Sequence, residues 1–147
     1  MLSVDSQTDK RGKVYQHDEG EYGVFYDAAP DVSTIKVVTN GQSHVTKIWT
    51  NLEFNSECYD GTSNDIYDET FNSIRITNEH QDTGLVVLTS PSTIRRRFRT
   101  WRHAIQRDNN STNQARIRNP WIFTELTFNN NDNKRFIAHD ILSYFLT

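Results

Sequence analysis

From residue 33 onward, apolar and polar positions alternate in short runs with the period of two that marks strands. Residues 33–39, STIKVVT, lead into Asn40-Gly41, a pair that tolerates positive φ and suits a tight hairpin. The returning strand is expected over residues 44–54, with Ile48, Thr50, Leu52 and Phe54 on one face and Lys47, Trp49 and Asn51 on the other. Residues 71–77, FNSIRIT, put Asn72, Ile74 and Ile76 on one side and Ser73, Arg75 and Thr77 on the other, and residues 85–89 form a short β-branched run. In residues 121–128, WIFTELTF, Ile122, Thr124, Leu126 and Phe128 alternate with Trp121, Phe123, Glu125 and Thr127. Residues 134–147, KRFIAHDILSYFLT, space Ile137, Ile141 and Tyr144 as a helix would, while Phe136, Phe145 and Thr147 favour a strand. The last two runs carry large apolar groups on both faces, which places them at the centre of a sandwich or beneath a partner.

Turn formers separate these runs. Residues 59–70, 78–84 and 129–133 read as loops, and residues 106–114, QRDNNSTNQ, as a polar tip without an apolar anchor. The first 20 residues show no sustained period and read as a flexible, extended arm or linker. Seven to eight strands with no amphipathic helix or repeat predict an all-β fold. We expect one antiparallel β-sandwich, immunoglobulin-like or jelly-roll-like, over residues 21–147.

Composition agrees with one domain of polar surface. The chain has 147 residues, 35% of them hydrophobic but 12% aromatic, with a mean hydropathy of -0.74. That is too aromatic for a disordered chain and polar for a self-contained enzyme. Cys58 is the single cysteine, which excludes an internal disulfide and a thiolate metal cluster. The N-terminus MLSVDSQTDKRGK has no apolar signal core and no run reaches membrane-spanning length, so a soluble, intracellularly made protein is expected. The net charge of -3 conceals a division: residues 1–92 carry 6 Lys and Arg against 15 Asp and Glu, and residues 93–147 carry 10 against 4. The halves can neutralise each other within one molecule or between subunits.

Candidate chemistry is sparse. His139-Asp140 resembles a base with its orienting acid, but neighbours on a strand point to opposite faces, which favours a structural pair. Asp18, Glu19 and Glu21 beside His17, and Glu79-His80 with Asp82, lack the His spacing of a zinc site and read as solvated charge. Asp60, Asp65 and Asp68 lack the register and terminal Glu of a calcium loop. The sequence contains no Gly-rich phosphate loop, nucleophile elbow or Cys-His pairing, so no catalytic, cofactor-binding or metal residue is assigned and an enzyme is not expected.

One basic stretch remains, RRRFRTWRH at residues 95–103. On a continuous strand, Arg95, Arg97, Arg99, Trp101 and His103 share one face, and Ile94, Arg96, Phe98, Thr100, Arg102 and Ala104 share the other. Three readings stand: a phosphate-binding stripe with Trp101 as stacking platform, a charged strand that resists edge pairing, or bidentate partners for carboxylates in this or a neighbouring subunit. The pI near 5.9 weighs against nucleic acid as the partner.

The ordered series YGVFYDAAPDVSTIKVVTN, TKIWTNLEFNSE, DETFNSIRITNEHQDTG, IRRRFRTWRHAIQRD and RIRNPWIFTELTFNNNDNKRFIAHDI resembles the C-terminal region of large tail or muzzle-type structural proteins of crAss-like short-tailed bacteriophages, some labelled stabilisation proteins. The resemblance spans residues 20–147. Where the family pattern has a proline before Arg-Asp, this chain has Gln106. Family members are much longer. The resemblance implies a virion structural protein of the tail, made in the bacterial host cytoplasm, that contacts other tail proteins in a ring-forming homo- or hetero-oligomer. The residues expected at such contacts are Arg95, Arg97, Arg99, Trp101, Arg102, Arg116, Arg118 and Trp121. Two alternatives remain: a carbohydrate- or receptor-binding sandwich using Trp49, Trp101 and Trp121 as stacking platforms, and a nucleic-acid-contacting virion protein.

Overall fold

The computed structural model describes residues 2–4, 14–16, 20–24, 32–110, 112 and 114–147. Eleven strands occur among them, all in antiparallel pairs, with no helix. They are β1 (Leu2–Val4), β2 (Val14–Gln16), β3 (Val32–Thr39), β4 (Lys47–Tyr59), β5 (Ser73–Thr77), β6 (Val86–Val87), β7 (Ile94–Arg97), β8 (Thr100–Ala104), β9 (Arg118–Asn119), β10 (Ile122–Asn129) and β11 (Arg135–Leu146). β1 and β2 pair with each other inside the segment expected to be an extended arm.

One sheet has the order β3-β10-β5-β6, the other β11-β4-β8-β7 with β9 also on β4. Buried apolar side chains from both sheets form one core: Trp49, Leu52, Phe54 and Cys58 of β4, Ile94 and Trp101 of the β7–β8 pair, Ile74 and Ile76 of β5, and Ile122, Leu126 and Phe128 of β10. A sheet with one apolar face must bury it against another layer, and here the two sheets bury each other as a β-sandwich. Aromatic rings bridge the layers. Phe54 meets Phe71 edge-on at 5.3 Å, Phe71 meets Phe136 at 4.8 Å, and Phe136 stacks on Phe128 at 4.2 Å.

The alternation in β10 appears as expected, with Ile122, Thr124, Leu126 and Phe128 all buried. Other expectations need correction. Asn40-Gly41 does not close a hairpin, because β3 pairs with β10 and β4 with β11, β8 and β9. The turn carries the chain from one sheet to the other. The expected faces of β4 hold only in part: Lys47 and Trp49 point inward, and so do Leu52 and Phe54. A bulge explains the change of parity, since Phe145 opposes Trp49 and Tyr144 opposes Asn51, leaving Thr50 as the extra residue. A second bulge leaves His139 unopposed, so Phe136 and Ile141 both reach the core despite odd spacing.

β10 is central as expected, but β11 is a sheet edge, with Leu142, Tyr144 and Leu146 exposed. The run at 85–89 reduces to the two residues of β6. The tip at 106–114 does have an anchor: buried Asp108 accepts the backbone N–H groups of Asp82 and Asn110, both at 3.1 Å. Residues 20–24 are tied to the β10–β11 turn, where Asn130 Nδ2 donates to the Tyr22 carbonyl at 3.3 Å and Asn133 Nδ2 donates to Glu21 at 2.5 Å.

Candidate functional site on the outer face of the five-stranded sheet

The arginine stretch is a hairpin and not one strand. β7 and β8 are joined by Phe98 and Arg99, both at positive φ (51° and 68°), as a two-residue primed turn requires. Glycine or asparagine would adopt these angles at low cost, whereas each ordinary residue here costs about 1–3 kcal/mol. The fold-back resets the faces. Ile94 opposes His103, Arg96 opposes Trp101, Arg95 opposes Arg102 and Arg97 opposes Thr100. Trp101, His103 and Ile94 turn into the core, while Arg95, Arg97 and Arg102 point outward.

The expected grouping of Trp101 with Arg95 and Arg97 is therefore overturned. Trp101 is 2% exposed. Arg96 covers it, with the guanidinium 5.3 Å from the Trp101 ring and 5.8 Å from that of Tyr67. His103 Nδ1 lies 2.8 Å from the Thr93 carbonyl, and burial lowers its pKa. As a core ring, Trp101 cannot serve as a stacking platform. The same holds for Trp49, 1% exposed, whose Nε1 donates to the Asn119 carbonyl at 3.0 Å. Trp121 is half-buried and packs edge-on against Phe123 at 4.9 Å, beside the other sheet.

Cross-strand register assembles the outer face. Opposed residues lie on the same side of a sheet, so Leu142, Glu53, Arg102 and Arg95 form one row across β11, β4, β8 and β7. Leu146, Ile48 and Arg118 form another, across β11, β4 and β9. Arg95 directly opposite Arg102 would repel it, and Glu53 relieves this by accepting Arg102 Nε at 2.5 Å and Tyr144 OH at 3.0 Å. Arg95 and Arg97 have no ion pair among the described residues, and Arg97 rests 5.3 Å from the Phe98 ring. Arg116 is exposed ahead of β9.

A cleft of about 490 Å³ opens beside the hairpin tip, lined by Glu57 and Tyr59 of β4, the loop residues Asp65 and Tyr67, Arg96, Phe98 and Arg99, and the bulged His139. Tyr59 OH donates to Glu57 Oε2 at 2.8 Å and Tyr67 OH to Asp65 Oδ2 at 2.9 Å. His139 Nε2 lies 3.3 Å from the same Glu57 oxygen, and these contacts, the tyrosine first, lower the Glu57 pKa. Nothing in the strand pattern singled out Glu57, Tyr59 or Tyr67. The loop after β4, the bulge at His139 and the turn at Phe98 bring them together.

The remaining titratable groups have local partners. Asp140 Oδ1 accepts from Asn55 Nδ2 at 2.7 Å, so His139 and Asp140 each pair with β4 and not with each other. Asp60 accepts from Thr62 and Asn64, which hold its pKa down to about 2 and its loop in shape. Arg75 clasps Asp82, and exposed Glu79 and His80 pair at 3.6 Å. His17, Asp18 and Glu19 lie outside the described residues. Among the described residues no three His, Cys, Asp or Glu side chains are arranged to hold a metal ion, and no helix is long and apolar enough to cross a membrane.

Fold and surface together define an antiparallel β-sandwich whose distinctive chemistry is spread over one outer sheet face, which carries both arginines and an exposed apolar edge. Residues 20–108 match the family described as the crassvirus muzzle protein C-terminal domain, and the chain belongs to that family. It is also similar to the muzzle protein of Bacteroides phage crAss001, with 33% identity over 152 residues, an alignment covering 99% of this chain and 11% of that protein. The chain thus spans a small part of the length of this curated relative.

Proposed function

We propose that this chain is a structural, non-enzymatic part of a phage virion, located in the muzzle of the tail and acting through protein–protein contacts in an oligomer. Family membership supports the virion role. The observation that carries the contact mechanism is that exposed Leu142, Tyr144 and Leu146 at one edge and Arg95, Arg97, Arg102 and Arg118 share one sheet face. Apolar side chains rimmed by arginine are typical of protein interfaces. A neighbour, another copy or another tail protein, would meet Arg95 and Arg97 with carboxylates.

In this reading residues 21–147 are the sandwich domain and residues 1–20 its arm. Of the other expected contact residues, Arg116 joins the rim, Trp121 lies beside the other sheet, Trp101 supports the hairpin from within, and Arg99 borders the cleft. The test is mass spectrometry of gradient-purified particles, with antibody labelling in electron micrographs. The chain is expected in the particles and labelled at the tail; particles that lack it contradict the proposal.

A further inference from the structure

We propose that the cleft beside the hairpin tip binds a neutral sugar ring of an oligosaccharide, with Glu57, Asp65 and Arg99 holding its hydroxyls and Tyr59, Tyr67 and Phe98 offering ring faces. This site lies towards one end of the same sheet face and shares no residue with the contacts proposed above. Its volume of about 490 Å³ is within the range of small-ligand pockets.

Charge narrows the ligand class. Glu57 and Asp65 offset Arg96 and Arg99, so the lining holds two carboxylates against two guanidiniums, with His139 beside Glu57. A phosphate chain or other polyanion meets repulsion there as well as attraction. A polyhydroxyl ring suits the balance, because each sugar hydroxyl both donates and accepts and so needs an acceptor and a donor at close quarters.

The cleft supplies both. The tyrosine hydroxyls occupy Glu57 Oε2 and Asp65 Oδ2, which fixes each carboxylate, and among the described residues Glu57 Oε1 and Asp65 Oδ1 accept no hydrogen bond. Among the described residues Arg99 makes no hydrogen bond or ion pair, and its guanidinium brings five N–H donors to the cleft. Arg96, stacked between Tyr67 and Trp101, is instead a fixed wall. Phe98 is 88% exposed at the cleft, with the Arg97 guanidinium 5.3 Å from its ring. The left-handed turn places both Phe98 and Arg99 in the lining of the cleft. The C–H face of a pyranose packs on such rings while its hydroxyls reach the carboxylates and the guanidinium.

The experiment applies the purified 147-residue chain to a broad array of neutral and acidic oligosaccharides, followed by calorimetric titration of those retained. Retention of neutral sugars is expected, with affinity falling about tenfold or more in Glu57→Gln, Asp65→Asn and Arg99→Ala, the loss of one charge-assisted hydrogen bond each. Arg95→Ala, on the outer face, should bind as the wild type does. Thermal melting checks that each variant is folded. Absence of retained neutral sugars overturns the proposal, as does preferential retention of acidic ones or equal binding by the variants. A change in oligomer size in Glu57→Gln without sugar retention by the wild type assigns the cleft to subunit contact instead.

Discussion

Glu53 of β4 and Arg102 of β8 lie directly opposite each other, with Arg102 Nε 2.5 Å from Glu53 Oε1, and this pair makes a strand with so many arginines compatible with its neighbour. Arg95 stands on the far side of Arg102, so Glu53 is the negative charge separating the arginines from an apolar edge. Glu53→Gln should therefore lower stability. Arg102 is more than half exposed, and screening limits the loss to about 0.5–1 kcal/mol. Urea denaturation at low and high salt checks this: the difference from wild type should shrink as salt rises.

Stability should fall in acid in two stages. His103 is held neutral by burial, its pKa lowered from an unfolded value of about 6.5. Above that pH its contribution is fully present. As pH falls below it, the unfolded chain takes up a proton that the folded chain resists, so stability declines towards the folded pKa. His103→Gln should flatten the slope of the melting temperature as pH falls below about 6.5. Asp82, held by Arg75, and Asp60, held at about 2, have lowered values, so their contributions persist until the pH drops below the ordinary carboxylate range.

Cys58 should be inert in the folded protein. Its side chain is buried, and burial together with Glu69, 3.6 Å from Sγ, pushes the thiol pKa to about 11. Thiolate is the reactive form. An aromatic disulfide reagent at pH 8 should give no colour with native protein and one equivalent after denaturation.

The parts legible in the sequence were those where period and pairing stay regular. β10 has no bulge, so its alternation named the buried face. In β4 and β11 the extra residues Thr50 and His139 reset the parity, and neither position carries a bulge signature such as glycine. Asn40-Gly41 offered hairpin chemistry, but β3 pairs with β10 and β4 with β11, β8 and β9, so the two strands lie in different sheets and local turn chemistry did not decide their pairing. Phe98-Arg99 is the reverse case, a tight turn without turn residues, and missing it placed Trp101 on the wrong face. The exposed arginines of the candidate surface were readable from charge alone. The cleft was not, because its walls come from β4, a loop, a hairpin tip and a bulge.

The central claim, association through the outer face of the five-stranded sheet, is tested most directly by multi-angle light scattering of the purified chain over a range of concentrations. Wild type should form species larger than its 17.2 kDa monomer, and Leu142→Asp with Leu146→Asp, two exposed positions, should shift it back to monomer without lowering the melting temperature. A wild-type chain that stays monomeric at every concentration, or a double variant that associates as wild type does, would contradict it.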